Sequence, residues 1–249
     1  MNLFASEFIG TALLLTIGLS VVIFNWGTGS LMARWVPSVP LRRLLTGFLF
    51  GSTGCLVTLS PVGKISGAHI NPAVSFAFWL RGKMKTYAML GYVASQMLGA
   101  VAGCLPLLLW HNQGLSINYA NTVPGKAGII PAFIGETVTT ACLVLVIFVF
   151  VGSKKLRNYT PFTMPFLYGF MVWAETELSG CSTNPARSFG PAAVSGVYTA
   201  YWIYIAAPIA GTLIIVAIFR GLRLHHYYHI EAARMAYHDH HSPQMLKQS

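Results

Sequence analysis

The chain has 249 residues, 55% of them hydrophobic and only 9% charged, with a mean hydropathy of +0.60. Soluble domains carry about 25% charged residues, so this composition argues against a water-soluble globule and for an integral membrane protein. The net charge of +10 does not point to nucleic acid, because the basic residues sit in short clusters between apolar segments, with no interleaved run of base-stacking aromatics.

In chain order, the first apolar span covers about residues 4–24 and contains Glu7. It lacks a basic leader, so it reads as a membrane span and not as a cleaved signal. A loop with Gly27, Gly29, Pro37 and Pro40 leads to a second span at about 44–59. Next comes a short apolar segment, Pro72 to Leu80, which as a helix is roughly 14 Å long, less than half of the roughly 30 Å hydrocarbon core. The third span is predicted at about 87–109, followed by a polar loop, 111–126, that reads as exposed. A fourth span at 131–151 holds Glu136, and a short fifth follows at 160–173. A second short segment, 185–194, precedes the last span at about 201–219. The tail, 225–249, is rich in histidine and reads as a solvated cytoplasmic extension rather than a metal site.

Two stretches are copies of each other. Residues 66–76 and 179–189 agree at seven of eleven positions, including Asn71-Pro72-Ala73 and Asn184-Pro185-Ala186. Each has the chemistry of a helix start, with Asn as cap and Pro as first helical residue. Three spans per half is an odd number, so the halves enter the bilayer from opposite sides and the duplication is inverted, over about 4–110 and 131–220. The expected fold is therefore an all-α membrane protein of six transmembrane helices plus two re-entrant half-helices, with residues 1–224 as the membrane domain. Two half-helices entering from opposite faces meet near the midplane and bring two positive dipole ends together. Such a point welcomes an uncharged solute with an acceptor oxygen and opposes a cation, including a proton. The Asn71 and Asn184 amides are predicted to cap their own helices through oxygen and to offer their NH₂ groups to a passing molecule.

Arg187 breaks the symmetry, since its matched position is Val74. An intramembrane Arg is costly and by default functional; pairing with Glu175 or Glu177 is the structural alternative. Glu7 and Glu136 are matched, each in the first span of its half, and read as acceptors for loop N–H groups, with a proton relay as the alternative. His69, inside the first copy, reads as a loop support. Gly47, Gly51, Gly54, Gly91, Gly99, Gly103, Gly169 and Gly211 suit close helix contacts. The four cysteines, Cys55, Cys104, Cys142 and Cys181, form no CxxC pair, and no cofactor or metal is expected. With no nucleophile–base pair or phosphate-cradling loop, the chain does not read as an enzyme.

On the two Asn-Pro-Ala motifs, the Gly67-Ala68-His69 lead-in and Arg187, the sequence resembles the aquaporins, or major intrinsic proteins, from Ser6 to about Phe219. The resemblance implies a pore in each protomer, a homotetramer in membrane lipid, and passive conduction of water. Glycerol or another small neutral solute is the alternative cargo; an ion-coupled transporter is the alternative class. It implies that Asn71, Pro72, Ala73, Asn184, Pro185 and Ala186 form the pore centre, and that Arg187 and Cys181 belong to a narrower outer filter. Phe50 is the expected aromatic of that filter, with Phe48 as the alternative, and Val172 the expected residue from the fifth span. Val172 stands where strict water channels usually carry His, which implies a wider, more apolar filter. Basic clusters at 81–85, 154–157 and in the tail put both termini in the cytoplasm, in the cell membrane.

Overall fold

The computed structural model describes residues 2–224; the His-rich stretch expected at 225–249 lies outside them. Helix α1, Leu3–Trp26, starts on Asn2, whose side-chain oxygen accepts the Ala5 N–H at 2.7 Å. After the short α2, Leu31–Trp35, comes α3, Val39–Leu59. It begins before the expected residue 44 because Pro40 sits in the first turn, where its missing N–H is no loss. The short α4, Pro61–Ser66, leads into the first half-helix, α5, Pro72–Leu80. Helix α6, Thr86–Cys104, ends earlier than the apolar run suggested, and the chain continues as a 3₁₀ segment, Leu105–Trp110, with Pro106 in its first turn. A small α7, His111–Leu115, follows.

The second half contains α8, Ile129–Gly152, α9, Thr160–Glu175, the second half-helix α10, Pro185–Ser195, and α11, Ile203–Gly221. No strand occurs among the described residues. By length and apolarity α1, α6 with its continuation to Leu115, α8 and α11 suffice to cross a membrane. Their outward side chains include Leu98, Ile130 and Ile214, which would be costly in water and are at home in lipid.

Packing follows the duplication. Helix α1 lies on α6, as α8 lies on α11, while the matched helices α3 and α9 pack on each other between the halves. Glycines set these approaches: a Cβ on Gly99 would come 2.3 Å from the Phe8 carbonyl oxygen, and one on Gly211 would come 2.4 Å from that of Thr137. Between α3 and α9 a Cβ on Gly51 would lie 2.4 Å from the Met164 carbonyl oxygen. Gly54 departs from the expectation, its nearest such neighbour being a Leu14 methyl at 3.8 Å.

Of the loop at 111–126, expected to be exposed, His111, Asn112, Ser116 and Asn118 do face outward, but the stretch around 120–125 folds back into the protein. Ala120 and Thr122 are buried, and Gly125 N–H donates to the Leu178 carbonyl at 2.8 Å. Its polar side chains misled the reading because their partners, Ser188 and the Val197 carbonyl, lie far along the chain.

Candidate pore and filter

At the centre of the molecule the two half-helices meet tip to tip. The Asn71 side-chain oxygen accepts the Ala73 N–H at 2.8 Å, and that of Asn184 accepts the Ala186 N–H at 3.0 Å. Pro72 and Pro185 are the first helical residues, and Ala73 and Ala186 are buried behind them. The remaining amide nitrogens cross over: Asn71 Nδ2 donates to the Thr183 carbonyl and Asn184 Nδ2 to the Ile70 carbonyl, both at 2.9 Å. The sequence reading left both NH₂ groups to the passing molecule. In the structure one hydrogen of each ties the opposite loop, which leaves only the second as a spare donor.

Each half-helix is entered through a loop with three residues in the left-handed region: Gly67, Ala68 and Ile70 in the first half, Gly180, Cys181 and Thr183 in the second. Non-glycine residues resist that conformation, so something must hold it. Matched carboxylates do. Glu7 accepts from His69 N–H at 3.0 Å, Ile70 N–H at 2.8 Å and Gln96 Nε2 at 2.7 Å. Glu136 accepts from Ser182 N–H at 2.6 Å, Thr183 N–H at 2.8 Å and the Ser179 hydroxyl at 2.6 Å. A tyrosine secures the loop start in each half, Tyr92 to the Ser66 carbonyl at 2.8 Å and Tyr204 to the Ser179 carbonyl at 2.7 Å. The His69 imidazole stacks on Phe78, centroids 4.8 Å apart, and its Nδ1 lies 3.1 Å from the Ser75 hydroxyl.

The Ser179 hydroxyl also lies 2.6 Å from a Glu175 carboxyl oxygen. One hydroxyl has one hydrogen, so Ser179 donates to one of the two carboxyl groups and is left to accept from the other.

Arg187, Cys181, Phe50 and Val172, from four separate segments, line one cavity of about 310 Å³. The Arg187 guanidinium donates to the Ala120 carbonyl at 2.8 Å and lies 5.9 Å from the centre of the Phe50 ring. Neither acid considered as its partner takes it: Glu177 pairs with Arg43, and Glu175 meets Ser179. Phe48 turns away, packing on Phe166 with centroids 5.5 Å apart, and contributes to neither cavity lining. On the other side of the structure a smaller cavity, about 60 Å³, is lined by His69, Asn71 and Asn184. Among the described residues no group of His, Cys, Asp and Glu is placed to hold a metal.

Sequence reasoning missed Gln96, Ala120, Thr122 and Tyr168. None belongs to the repeated stretches; Tyr168 alone carried a signal, standing one turn before Val172 on the same helix face.

An inverted pair of three-helix halves, each with a half-helix whose capped end meets the other's beside the smaller of two adjoining cavities, defines a membrane protein with a path through its own fold. Comparison with known proteins narrows the class. The sequence model described as Major intrinsic protein matches residues 1–219, and the chain belongs to that family. Aquaporin TIP4-3 of Zea mays is 35% identical over 180 residues, covering 70% of this chain and 71% of that relative. The lens fiber major intrinsic protein of Homo sapiens is 36% identical over 196 residues, covering 75% and 71%. Among solved structures, the aquaglyceroporin from Plasmodium falciparum superposes with a TM-score of 0.68 over 87% of this chain and 93% of its own, at 22% identity, and speaks for the fold.

Proposed function

We propose that the chain is a passive transmembrane channel conducting water and small neutral solutes while turning back protons and other ions. The observation that carries this reading is the crossed pair Asn71–Thr183 and Asn184–Ile70, which fixes two helix N-termini at one point on the wall of the smaller of two adjoining cavities. Each helix end contributes roughly half a positive charge, and the Asn amides present donors without acceptors. A water molecule there is held through its oxygen, so it cannot simultaneously accept a proton from one neighbour and pass one along the file. Arg187 adds a full charge at the larger cavity, a second electrostatic obstacle to cations.

Glu7 and Glu136 act in this reading as fixed acceptors for loop N–H groups, and His69 as a prop. A carboxylate already engaged by three donors is poorly placed to carry protons in a transport cycle, which favours the channel over an ion-coupled transporter. The path is a conduit and performs no covalent chemistry. We further propose that the chain works as a homotetramer, its exposed Leu, Ile and Phe side chains covered by neighbouring copies and lipid, with both termini in the cytoplasm and the cell membrane as its site.

The test is stopped-flow light scattering on purified protein in vesicles. An osmotic step in sorbitol should give shrinkage much faster than in protein-free vesicles, with low activation energy and no dissipation of a pH gradient. Water flux equal to that of empty vesicles would overturn the proposal. The runner-up, a glycerol facilitator, is favoured by Val172, an aliphatic residue that leaves the Arg187-side cavity roomy; fast equilibration of glycerol would select it.

A further inference from the structure

The two cavities are lined by different residues with two exceptions, Phe50 and Tyr168, which contribute to both. Their rings stand with centroids 5.6 Å apart and planes tilted by 53°. They therefore form the wall between the space that holds Arg187, Cys181 and Val172 and the space that holds Asn71 and Asn184. Any solute passing from one to the other must pass these rings.

Neither ring is free to retreat. The Phe50 ring presses on α1 at Gly18, where even a Cβ would come 2.8 Å from two of its carbons. The Tyr168 backbone is pinned against α3, its carbonyl oxygen lying where a Cβ of Gly47 would be 2.2 Å away. Its hydroxyl lies 2.9 Å from the Thr183 hydroxyl. Thr183 spends its single hydrogen on the Ser182 carbonyl at 2.7 Å, so Tyr168 is the donor of that bond. Thr183 is itself anchored by Glu136 through its N–H and by Asn71 through its carbonyl. The ring is thus bolted to the same loop that aligns the central asparagines.

We propose that Tyr168, against Phe50, is the size-limiting residue of the path, one turn inward from Val172, and that it restricts passage to water-sized solutes and excludes three-carbon polyols. The proposal rests on the channel reading and sharpens its cargo. Val172 leaves the outer filter wide; the width is taken back at the next turn of α9 by an aromatic ring.

The test compares water and glycerol permeability of vesicles carrying the wild type, Tyr168→Ala, Tyr168→Phe and Val172→Ala. The wild type should pass water well above empty vesicles and glycerol at their background rate. Tyr168→Ala should raise the ratio of glycerol to water permeability by about tenfold or more. Tyr168→Phe keeps the ring, still held by Phe50 and α3 but without its tie to Thr183, and should pass glycerol far more slowly than Tyr168→Ala does; Val172→Ala should leave glycerol excluded. Rapid glycerol flux through the wild type would overturn the proposal while leaving the channel reading intact, and this decides the matter even if Tyr168→Ala does not fold. A folded Tyr168→Ala that still excludes glycerol, or a Val172→Ala that opens equally, would also overturn it. A wild type without water flux would remove the channel reading, and this inference with it.

Discussion

The two halves of the molecule share a backbone and differ in what fills it. Gly67, Ala68 and Ile70 repeat the left-handed turns of Gly180, Cys181 and Thr183, and Glu7 repeats the grip of Glu136 on two successive loop N–H groups. Around that shared skeleton the first half places an imidazole and an amide, His69 and Gln96, beside Ser75. The second half places the hydroxyls of Ser182 and Thr122 beside Ser188. The first copy presents Val74 where the second presents Arg187. The difference teaches that the symmetric features hold the helix ends together; the asymmetric ones, in the proposed reading, decide what reaches them.

The largest expected effect comes from breaking the symmetric part. Glu7→Ala and Glu136→Ala each orphan two buried loop N–H groups, and each orphan costs about 1–3 kcal/mol, so either change should destabilise the protein by about 2–6 kcal/mol. Thermal unfolding in detergent measures this. Comparable losses in the two variants would support equal roles; a stable Glu7→Ala beside an unfolded Glu136→Ala would show that only the second loop depends on its carboxylate.

Next in size is removal of the asymmetry. Arg187→Val makes the second copy resemble the first at that position. It removes the fixed charge from the larger cavity and frees the Ala120 carbonyl. Cation or proton leak should rise on the order of tenfold, corresponding to about 1.4 kcal/mol off an electrostatic barrier. With Phe50 and Tyr168 still in place, glycerol should remain excluded. Decay of an imposed pH gradient, followed with an entrapped dye, tests the first half of this statement. An unchanged decay would return the ion barrier to the helix ends alone.

This division also explains how much was legible in the sequence. The repeated motifs gave away the half-helices, their caps and the matched acids, because duplication writes the same chemistry twice. Arg187 was visible as the exception to a repeat. Tyr168, Gln96 and Ala120 were not, since each acquires its role from a partner far along the chain: Phe50 for Tyr168, Glu7 for Gln96, Arg187 for Ala120. Helical periodicity says which residues share a face, and it does not say which face looks into the path. The infolded part of the 111–126 loop was lost for a related reason, its polar residues being weighed without their distant partners, whereas the early start of α3 is local, Pro40 standing in the first helical turn and not in the loop before it.

A smaller effect separates the two ends of the path. Cys181 lines the Arg187-side cavity, while its matched residue, Ala68, lines the other. Cys55 and Cys104 are buried and line neither, and Cys142 faces outward from α8. A membrane-impermeant mercurial applied from the Arg187 side should therefore slow water flow in the wild type and spare Cys181→Ser. In a Cys181→Ser, Ala68→Cys double variant the same reagent should act only from the opposite side. Inhibition that persists in Cys181→Ser would locate the responsive thiol elsewhere.

The smallest effect is expected at Glu175, an acid with no counterpart in the first half, where Val62 stands. Glu175 is buried, and its carboxyl oxygen shares the Ser179 hydroxyl with Glu136 at 2.6 Å on each side. Because Glu136 also holds Ser182 and Thr183, it has the stronger claim on the single hydrogen of Ser179. Glu175 then needs only to donate to the Ser179 oxygen, which the NH₂ group of a glutamine does equally well. Glu175→Gln should accordingly keep water permeability within about twofold, since the count of hydrogen bonds is preserved. Glu175→Val, which copies the first half, should lose the Ser179 hydrogen bond and the interaction with Cys181, a larger loss than in Glu175→Gln. A severe defect in Glu175→Gln alone would mean that the second loop requires a charge at this point, and that the asymmetry between the halves extends from the filter into the scaffold that carries it.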